Sequence, residues 1–203
     1  MDGPLMAEVP PQLPPRKRID DVELLRALAH PLRSALVHHL MAVGPSTASE
    51  CADAVGSTAS NCSWHLRKLA EHGLVERAEG GDGRERPWRA CHVGLVLGRP
   101  GGDPALTAAQ LAVTGTELAE EQELTQRYLD TVETLDEDWR ETGGFFSYGL
   151  NATPEEVNAL TKAIDDLIRP YVSTIRKDAP VDARAVFLGM RAFRRIGHDG
   201  KPA

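Results

Sequence analysis

Apolar residues recur at helical spacing in two short stretches of the chain that a single glycine separates. The first stretch carries them at Ala48, Cys51, Ala52 and Val55. The second carries them at Ala59, Cys62, Leu66 and Leu69, after Ser57 or Thr58 as a helix cap. This spacing places each set on one helical face, and Gly56 between them can adopt the positive φ that ends a helix. The pattern predicts two short helices joined by a tight turn.

The polar residues of the second helix fall on the face opposite its apolar stripe. This outward set consists of Ser60, Asn61, Trp64, Arg67 and Lys68. Gly73 is placed to end the helix, and residues 74–78 and 86–91 have the composition of two strands joined by a glycine-rich turn at 80–84. The pattern predicts a helix-turn-helix followed by a β-hairpin, or wing, with the outward set as a reading face for DNA.

Two further helices are predicted upstream of this unit, over residues 20–29 and 31–42. His30-Pro31 separates them, because a proline disfavours helical geometry at the residue before it. Residues 1–19 are rich in proline and poor in apolar residues, so we expect a disordered arm there. Residues 20–93 are therefore predicted to form one winged helix-turn-helix domain.

Beyond the wing, the pattern predicts a linker and a long helix. Residues 94–105 combine a short apolar strand candidate with several glycines. Residues 106–139 have a helical pattern with sevenfold spacing at Leu111, Leu118, Val132 and Trp139. Such spacing indicates a seam for a partner helix, and we expect the long helix to support dimerisation.

The last part of the chain predicts a small α/β module. Thr153-Pro154-Glu155-Glu156 is a strong helix start, since threonine can cap, proline fits the first turn and a glutamate three residues on completes a capping box. We expect this helix to run to about Lys177 and a strand to follow over 184–194, where side chains alternate between two faces. The predicted fold class is mainly α with small β elements, and the dimerisation helix and α/β module together occupy residues 106–203.

Two stretches of the amino-terminal domain resemble a known family of regulators. Residues 25–40, LRALAHPLRSALVHHL, are similar to the opening L-x-x-L-A-x-P-x-R stretch of the ArsR-type winged helix-turn-helix transcriptional regulators. Residues 60–75, SNCSWHLRKLAEHGLV, are similar to their recognition helix and first wing strand. The resemblance covers roughly residues 20–92. It implies a DNA-binding homodimer, most often a repressor, in which the helix after the wing forms much of the interface.

A second resemblance concerns the carboxy-terminal part. Residues 147–157 and 185–193 resemble the extended carboxy-terminal region of an actinobacterial-like subgroup of these regulators, common in high-GC Gram-positive bacteria. This second resemblance implies no particular ligand.

The net charge of −7 argues against a polyanionic partner, but its distribution does not. Residues 16–92 contain eleven lysines and arginines against ten acidic residues, whereas residues 93–203 contain twelve against eighteen. The acidic excess therefore lies in the carboxy-terminal half. Basic residues on the predicted helix and wing favour contact with phosphates, although a solvated basic surface is the alternative.

We assign candidate roles on DNA from helical phase. Asn61 is suited to pair with adenine, Ser60 and Ser63 to meet base edges or phosphates, and Trp64 to pack on a thymine methyl or sugar. Basic side chains on the helix and wing would hold phosphates or enter the minor groove. The full set of candidate DNA-binding residues is Thr58, Ser60, Asn61, Ser63, Trp64, His65, Arg67, Lys68, Arg84 and Arg86. In a homodimer, two such helices would read an imperfect palindrome in double-stranded DNA.

Several other function classes are disfavoured. Thr47 and Ser49 stand where metal-sensing members of the resembled family carry cysteines, and no histidine lies between residues 93 and 197, so we expect no metal and no other cofactor. No nucleophile elbow, phosphate-binding loop or H-E-x-x-H motif is present, so we expect no enzyme. No apolar run approaches the length of a membrane helix and no signal peptide is evident, which favours a cytoplasmic protein without membrane contact.

The input to such a regulator stays open. The carboxy-terminal module contains an aromatic group that is either a core cluster or a pocket for a small-molecule effector: Tyr128, Trp139, Phe145, Phe146 and Tyr148. The alternative function is an effector- or protein-binding module in which DNA binding is vestigial.

Overall fold

The described residues of the amino-terminal part fold into four helices and four short strands around one core. The structure is a computed structural model that describes residues 15–79, 86–98 and 100–202. Its first elements are β1 (Lys17–Ile19), α1 (Val22–Leu28), α2 (Pro31–Val43), α3 (Ala48–Val55), α4 (Ala59–Glu71), β2 (Val75–Arg77), β3 (Trp88–Ala90) and β4 (Leu95–Leu97). The predicted helix-turn-helix and wing strands are therefore present.

The turn between α3 and α4 forms as the residue types require. The Thr47 side chain caps α3 by accepting from the N–H of Glu50, whose carboxylate accepts in return from the N–H of Thr47. Gly56 ends the helix with φ 64°, in the left-handed region that side chains with a Cβ disfavour. Thr58 then caps α4 by accepting from the N–H of Asn61 at 3.3 Å. These caps fix the points at which the two helices begin and end.

The core lies where α1 to α4 and the base of the wing meet. Its fully buried members include Leu25, Leu36, Leu40, Cys51, Cys62, Leu66, Leu69 and Leu74. The apolar stripes of α3 and α4 face each other in this core, as their spacing predicts. Trp88 from β3 joins it, and its backbone exchanges hydrogen bonds with Ser46 at 2.7 and 2.9 Å, so the wing is attached to the turn before α3.

The strand pairing corrects the prediction of a disordered arm up to residue 19. Lys17–Ile19 form β1 and pair in parallel with β4, Lys17 opposite Leu95 and Ile19 opposite Leu97. Ile19 is fully buried in the core cluster, so the strand gains both backbone pairing and apolar burial. The sequence did not predict β1, because a strand of three residues leaves almost no periodic signal. Residues 1–14 of the predicted arm lie outside the described residues.

The carboxy-terminal part is built on the long helix α5 (Pro104–Thr131). A short 3-10 turn (Val132–Thr134), α6 (Glu137–Arg140), α7 (Pro154–Ile168) and a second 3-10 turn (Arg169–Tyr171) follow. The buried residues of α5 are Ala109, Gln110 and Val113, and the helix packs against α1 and α2. No helix within the described ranges is long and apolar enough to cross a membrane.

Both carboxy-terminal helices are shorter than predicted. The helix expected over 106–139 breaks after Thr131, where Thr131, Val132 and Thr134 put β-branched side chains together and the two threonine hydroxyls donate to carbonyls of their own segment. The helix expected to reach Lys177 ends at Ile168, because Pro170 has no N–H to continue the ladder. The predicted capping box of Thr153 and Glu156 is present.

The strand predicted over 184–194 is not formed. These residues are exposed and have no regular secondary structure. Their alternation indicates two faces, but a strand also needs a partner strand for its backbone groups, and none lies beside them within the described residues. The fold class is therefore confirmed as mainly helical with small sheets, whereas the predicted closing strand is wrong.

Candidate nucleic-acid interface

The outward face of α4 is a polar surface with one large aromatic side chain. Ser60, Asn61, Trp64 and Arg67 are exposed, and Ser63 and Lys68 are partly exposed. The indole of Trp64 is 49% exposed, although burial of so large an apolar group is favourable. The opposite face of the helix is fully buried in the core. α4 is thus held along one side and presents the other to solvent.

Local hydrogen bonds within α4 and its amino-terminal turn order the side chains on this surface. The Asn61 amide nitrogen donates to the Ser57 hydroxyl at 3.1 Å, and the Arg67 guanidinium donates to the Ser63 hydroxyl at 2.9 Å. The hydroxyls of Thr58 and Ser60 lie 3.3 Å apart. All of these bonds are exposed and can be exchanged for bonds to a ligand at low cost. The polar groups are therefore oriented but not committed to the interior.

Lys68 forms an ion pair within the same helix. Its Nζ lies 2.9 Å from the Glu71 carboxylate, three residues further along α4. An exposed pair of this kind contributes only about 0.2–1 kcal/mol. A phosphate could displace Glu71, so the pair orients Lys68 without neutralising it permanently.

His65 does not belong to this surface, which corrects its prediction as a phosphate donor. The residue is 5% exposed, and its ring lies 4.6 Å from the His30 ring and 4.7 Å from the Trp64 ring, measured between centroids. Burial, followed by the nearby His30 and Arg33, lowers the pKa of His65 and favours its neutral form. The buried stripe at 62, 66 and 69 also includes position 65, because residues three apart share a helical face. His65 therefore helps to seat α4 against the turn between α1 and α2.

The wing is a two-stranded hairpin beside α4. β2 and β3 pair antiparallel, with Arg77 opposite Trp88. Arg86 is exposed just before β3, and Arg89 forms an ion pair with Glu76 across the hairpin at 2.7 Å. Arg84, the other candidate wing contact, lies outside the described residues, as does the predicted glycine-rich turn.

Sequence reasoning missed the role of Arg77 at the base of the wing. Its guanidinium carbon lies 3.9 Å from the centroid of the Trp88 ring, and the side chain also donates to the Arg86 carbonyl oxygen. A cation over an indole face is attractive by about 0.5–1 kcal/mol at an exposed site. The strand register was the available signal, since it places Arg77 directly opposite Trp88. Arg77 thus stabilises the hairpin that carries Arg86.

A polar cluster joins the helix-turn-helix unit to α5. Glu120 of α5 accepts from the Ser34 hydroxyl at 3.0 Å and lies 2.9 Å from Nδ1 of His38, both on α2. The Thr116 hydroxyl donates to the carbonyl oxygen of Ala29 at 3.1 Å. α5 is therefore attached to the helices beneath α4 by directional bonds as well as by apolar contacts.

The same cluster shifts two pKa values. Burial alone would lower the pKa of His38, but the hydrogen bond to Glu120 and the charges of Glu120 and Glu117 outweigh it and raise that pKa. Burial and the nearby Glu120 raise the pKa of Glu117, against the opposing charge of His38. Protonation of His38 on α2 therefore strengthens its contact with Glu120 on α5.

We expect this cluster to make stability depend on pH. The pKa of His38 is raised in the folded state, so His38 adds to the free energy of unfolding. This stabilisation is fully present below the ordinary histidine pKa of 6.5 and is lost as pH rises through the folded-state pKa. The raised pKa of Glu117 acts in the same direction. Urea unfolding of the wild type and of His38→Gln from pH 6 to 9 measures the effect. The difference in free energy of unfolding should favour the wild type most at pH 6 and shrink with rising pH, and a constant difference would contradict the assignment.

The three cysteines are not arranged as metal ligands. Cys51 and Cys62 are fully buried, and burial raises the pKa of Cys51 to about 11. Thr47, at a position where a thiolate would be needed, is committed to the cap of α3. No group of three or more His, Cys, Asp or Glu residues in the described part of the chain could hold a metal ion.

The aromatic group predicted as core or pocket is mostly dispersed. The rings of Tyr128 and Phe145 lie 6.1 Å apart, but Phe145, Phe146 and Tyr148 are strongly exposed. Within this chain these residues therefore do not form a buried cluster.

One comparison with known proteins bears on the amino-terminal part. Residues 28–78, from the last residue of α1 to the residue after β2, match the family model of a helix-turn-helix domain. No curated protein matches the chain. The matched range contains the whole of α2, α3, α4 and β2, including the exposed face of α4 described above. The chain therefore contains a helix-turn-helix DNA-binding domain.

Proposed function

We propose that this protein is a transcriptional repressor that binds double-stranded DNA as a homodimer in the manner of the ArsR-type regulators it resembles. The observation that carries the proposal is the exposed face of α4, where amide, hydroxyl and basic side chains share one side of a helix whose other side is buried in the core. The proposal assigns the chain a binding role and no catalytic one.

In this proposal α4 enters the major groove and the wing lies along the neighbouring backbone. Asn61 offers an amide donor and acceptor to adenine, while Ser60 and Ser63 meet base edges or phosphates. Trp64 packs on a thymine methyl or a sugar, and Arg67 and Lys68 hold phosphates. Thr58 sits at the amino terminus of α4, where its hydroxyl and the helix dipole favour a phosphate.

An unpartnered apolar stripe on α5 supports the homodimer. Leu111, Leu118 and Leu129 are 57%, 43% and 49% exposed, on a different side of the helix from the buried Ala109 and Val113. A second copy related by a two-fold axis would cover this stripe with the same stripe of its own. Two α4 helices about 34 Å apart would then meet successive major grooves of a palindromic operator.

The experiment that tests the function is selection of bound sequences from a random DNA pool by the full chain. We expect an imperfect palindrome to be enriched. Recovery of no sequence preference, with binding that salt abolishes, would contradict the proposal and favour an effector- or protein-binding module with vestigial DNA binding.

A variant of Asn61 tests the reading role of α4. Asn61→Ala should relax sequence choice at one base pair of each half-site and cost about 1–3 kcal/mol of binding free energy on the preferred operator. Fluorescence anisotropy against operators substituted at single positions measures this. If the same sequence preference survives, the residue does not read a base.

Lys68→Ala is the matched comparison on the same helix. It removes a phosphate contact rather than a base contact, so it should weaken all sequences alike and reduce the slope of log affinity against log salt by about 1. A base-specific loss at Lys68 would show that the two roles are exchanged.

A further inference from the structure

The closing segment, residues 184–194, carries large apolar side chains and has no regular secondary structure, and no other described residue buries it. Leu188 is 65% exposed and Phe193 is 81% exposed. The backbone groups of residues 185–193 make no hydrogen bond with any other described residue. Unpaired backbone beside exposed apolar side chains is the state of a strand without its partner.

The segment is attached to the chain beside the apolar stripe of α5. The Arg191 guanidinium pairs with the Glu121 carboxylate, and a Cβ placed on Gly189 would lie 3.7 Å from Oε2 of Glu121. Glu121 and Leu118 are three residues apart on α5 and so are neighbours on its surface. The ion pair therefore holds the closing segment next to the part of α5 that carries Leu118.

We propose that residues 184–192 pair antiparallel with the same residues of a second copy of this chain, about a two-fold axis through Leu188. The inference rests on the homodimer proposed above and adds a two-stranded sheet to its α5 interface. A two-fold axis makes antiparallel self-pairing the natural arrangement, because each residue i contacts the residue j that contacts i.

The register follows from charge and side-chain pairing. With the axis at Leu188, Val186 faces Met190 of the second copy and Leu188 faces its own equivalent, which makes one continuous apolar face. Arg184 and Arg191 then face only alanines, Ala192 and Ala185. Moving the axis to Gly189 would place Arg184 opposite Arg194, and like charges directly opposite are destabilising.

Phe187 and Gly189 support the same register. A Cβ on Gly189 would lie 3.1 Å from the Phe187 ring, so the ring already covers this glycine within one chain. With the axis at Leu188, Phe187 of each copy faces Gly189 of the other, and an aromatic ring across from a glycine is a stabilising pair in sheets. An axis at Phe187 would lose this pairing and set Met190 against Arg184.

The test is a disulfide on the axis in the full chain. Directly opposite residues of antiparallel strands have Cα atoms about 4.5–5.5 Å apart, within the range that a disulfide spans. Under mild oxidation at micromolar protein, Leu188→Cys should form a covalent dimer on a non-reducing gel. The wild type, in which Cys51 and Cys62 are buried and Cys91 is partly exposed, controls for the natural thiols.

Met190→Cys is the matched control on the same face. Its equivalent in the second copy would lie roughly 13 Å away, so it should cross-link at least ten-fold more slowly alone. Mixing it with Val186→Cys protein should restore a covalent heterodimer. Equal rates for Leu188→Cys and Met190→Cys would overturn the pairing.

Light scattering on the wild type separates this inference from the proposed function. A dimer in solution without the Leu188→Cys cross-link would overturn the strand pairing and leave the homodimer intact. A monomer at tens of micromolar would overturn both.

Discussion

Leu118→Glu should convert the protein to a monomer and lower its affinity for a palindromic operator about 10²–10⁴-fold, the range lost when two linked binding sites become independent. Leu118 lies at the centre of the exposed apolar stripe of α5. In the proposed dimer the stripe of the second copy covers it, so the variant would bury an unpaired carboxylate from each copy in the interface, which is strongly unfavourable. Light scattering and operator titration measure the two effects.

Ala112→Glu is the matched control for this prediction. It adds the same charge to the same helix at an exposed position away from the stripe, so the dimer and operator affinity should be close to wild type. The free energy of unfolding of both variants should be followed by urea titration, because a variant that unfolds would also lose binding. A folded Leu118→Glu variant that still dimerises would show that another surface joins the copies.

The amino-terminal domain could be predicted from sequence because each local signal there agrees with the tertiary structure. α3 begins after its cap Thr47 and ends at Gly56, and α4 begins after its cap Thr58. The apolar stripes of the two helices face each other, so caps and periodicity indicate the same boundaries. The exposure of the polar face of α4 followed directly from that phase. A segment can be predicted from its sequence when its local preferences agree in this way with its packing.

The predictions that were wrong concern residues whose state depends on a partner. Ile19 is buried because β4, almost eighty residues later, supplies a strand for β1, and no window of sequence contains both. His65 was misassigned because the His30 ring lies against it across the turn between α1 and α2. The closing segment has strand alternation but no strand partner among the described residues of its own chain. The proposed pairing with a second copy would supply that partner.

Leu66→Ala should lower the free energy of unfolding by about 2–5 kcal/mol, the cost of removing a buried leucine side chain and leaving a cavity. Leu66 is fully buried in the core between α4 and its neighbours, and a close-packed core relaxes only partly around such a deletion. A loss of this size is a large share of the stability of an ordinary domain. Urea unfolding of the full chain, followed by circular dichroism, measures it.

Glu71→Ala provides the comparison on the same helix, since Glu71 is exposed and, among the described residues, its side chain pairs with Lys68 alone. Its cost should stay below about 1 kcal/mol, so the ratio of the two losses reports which side of α4 carries the fold. The same asymmetry is what the proposed DNA contact requires. Burial of Cys62, Leu66 and Leu69 stabilises the helix, so the residues of the opposite face are available for contacts outside the protein. Comparable losses for both variants would mean that α4 is not anchored by its apolar stripe, and the proposed reading face would lose its rigid support.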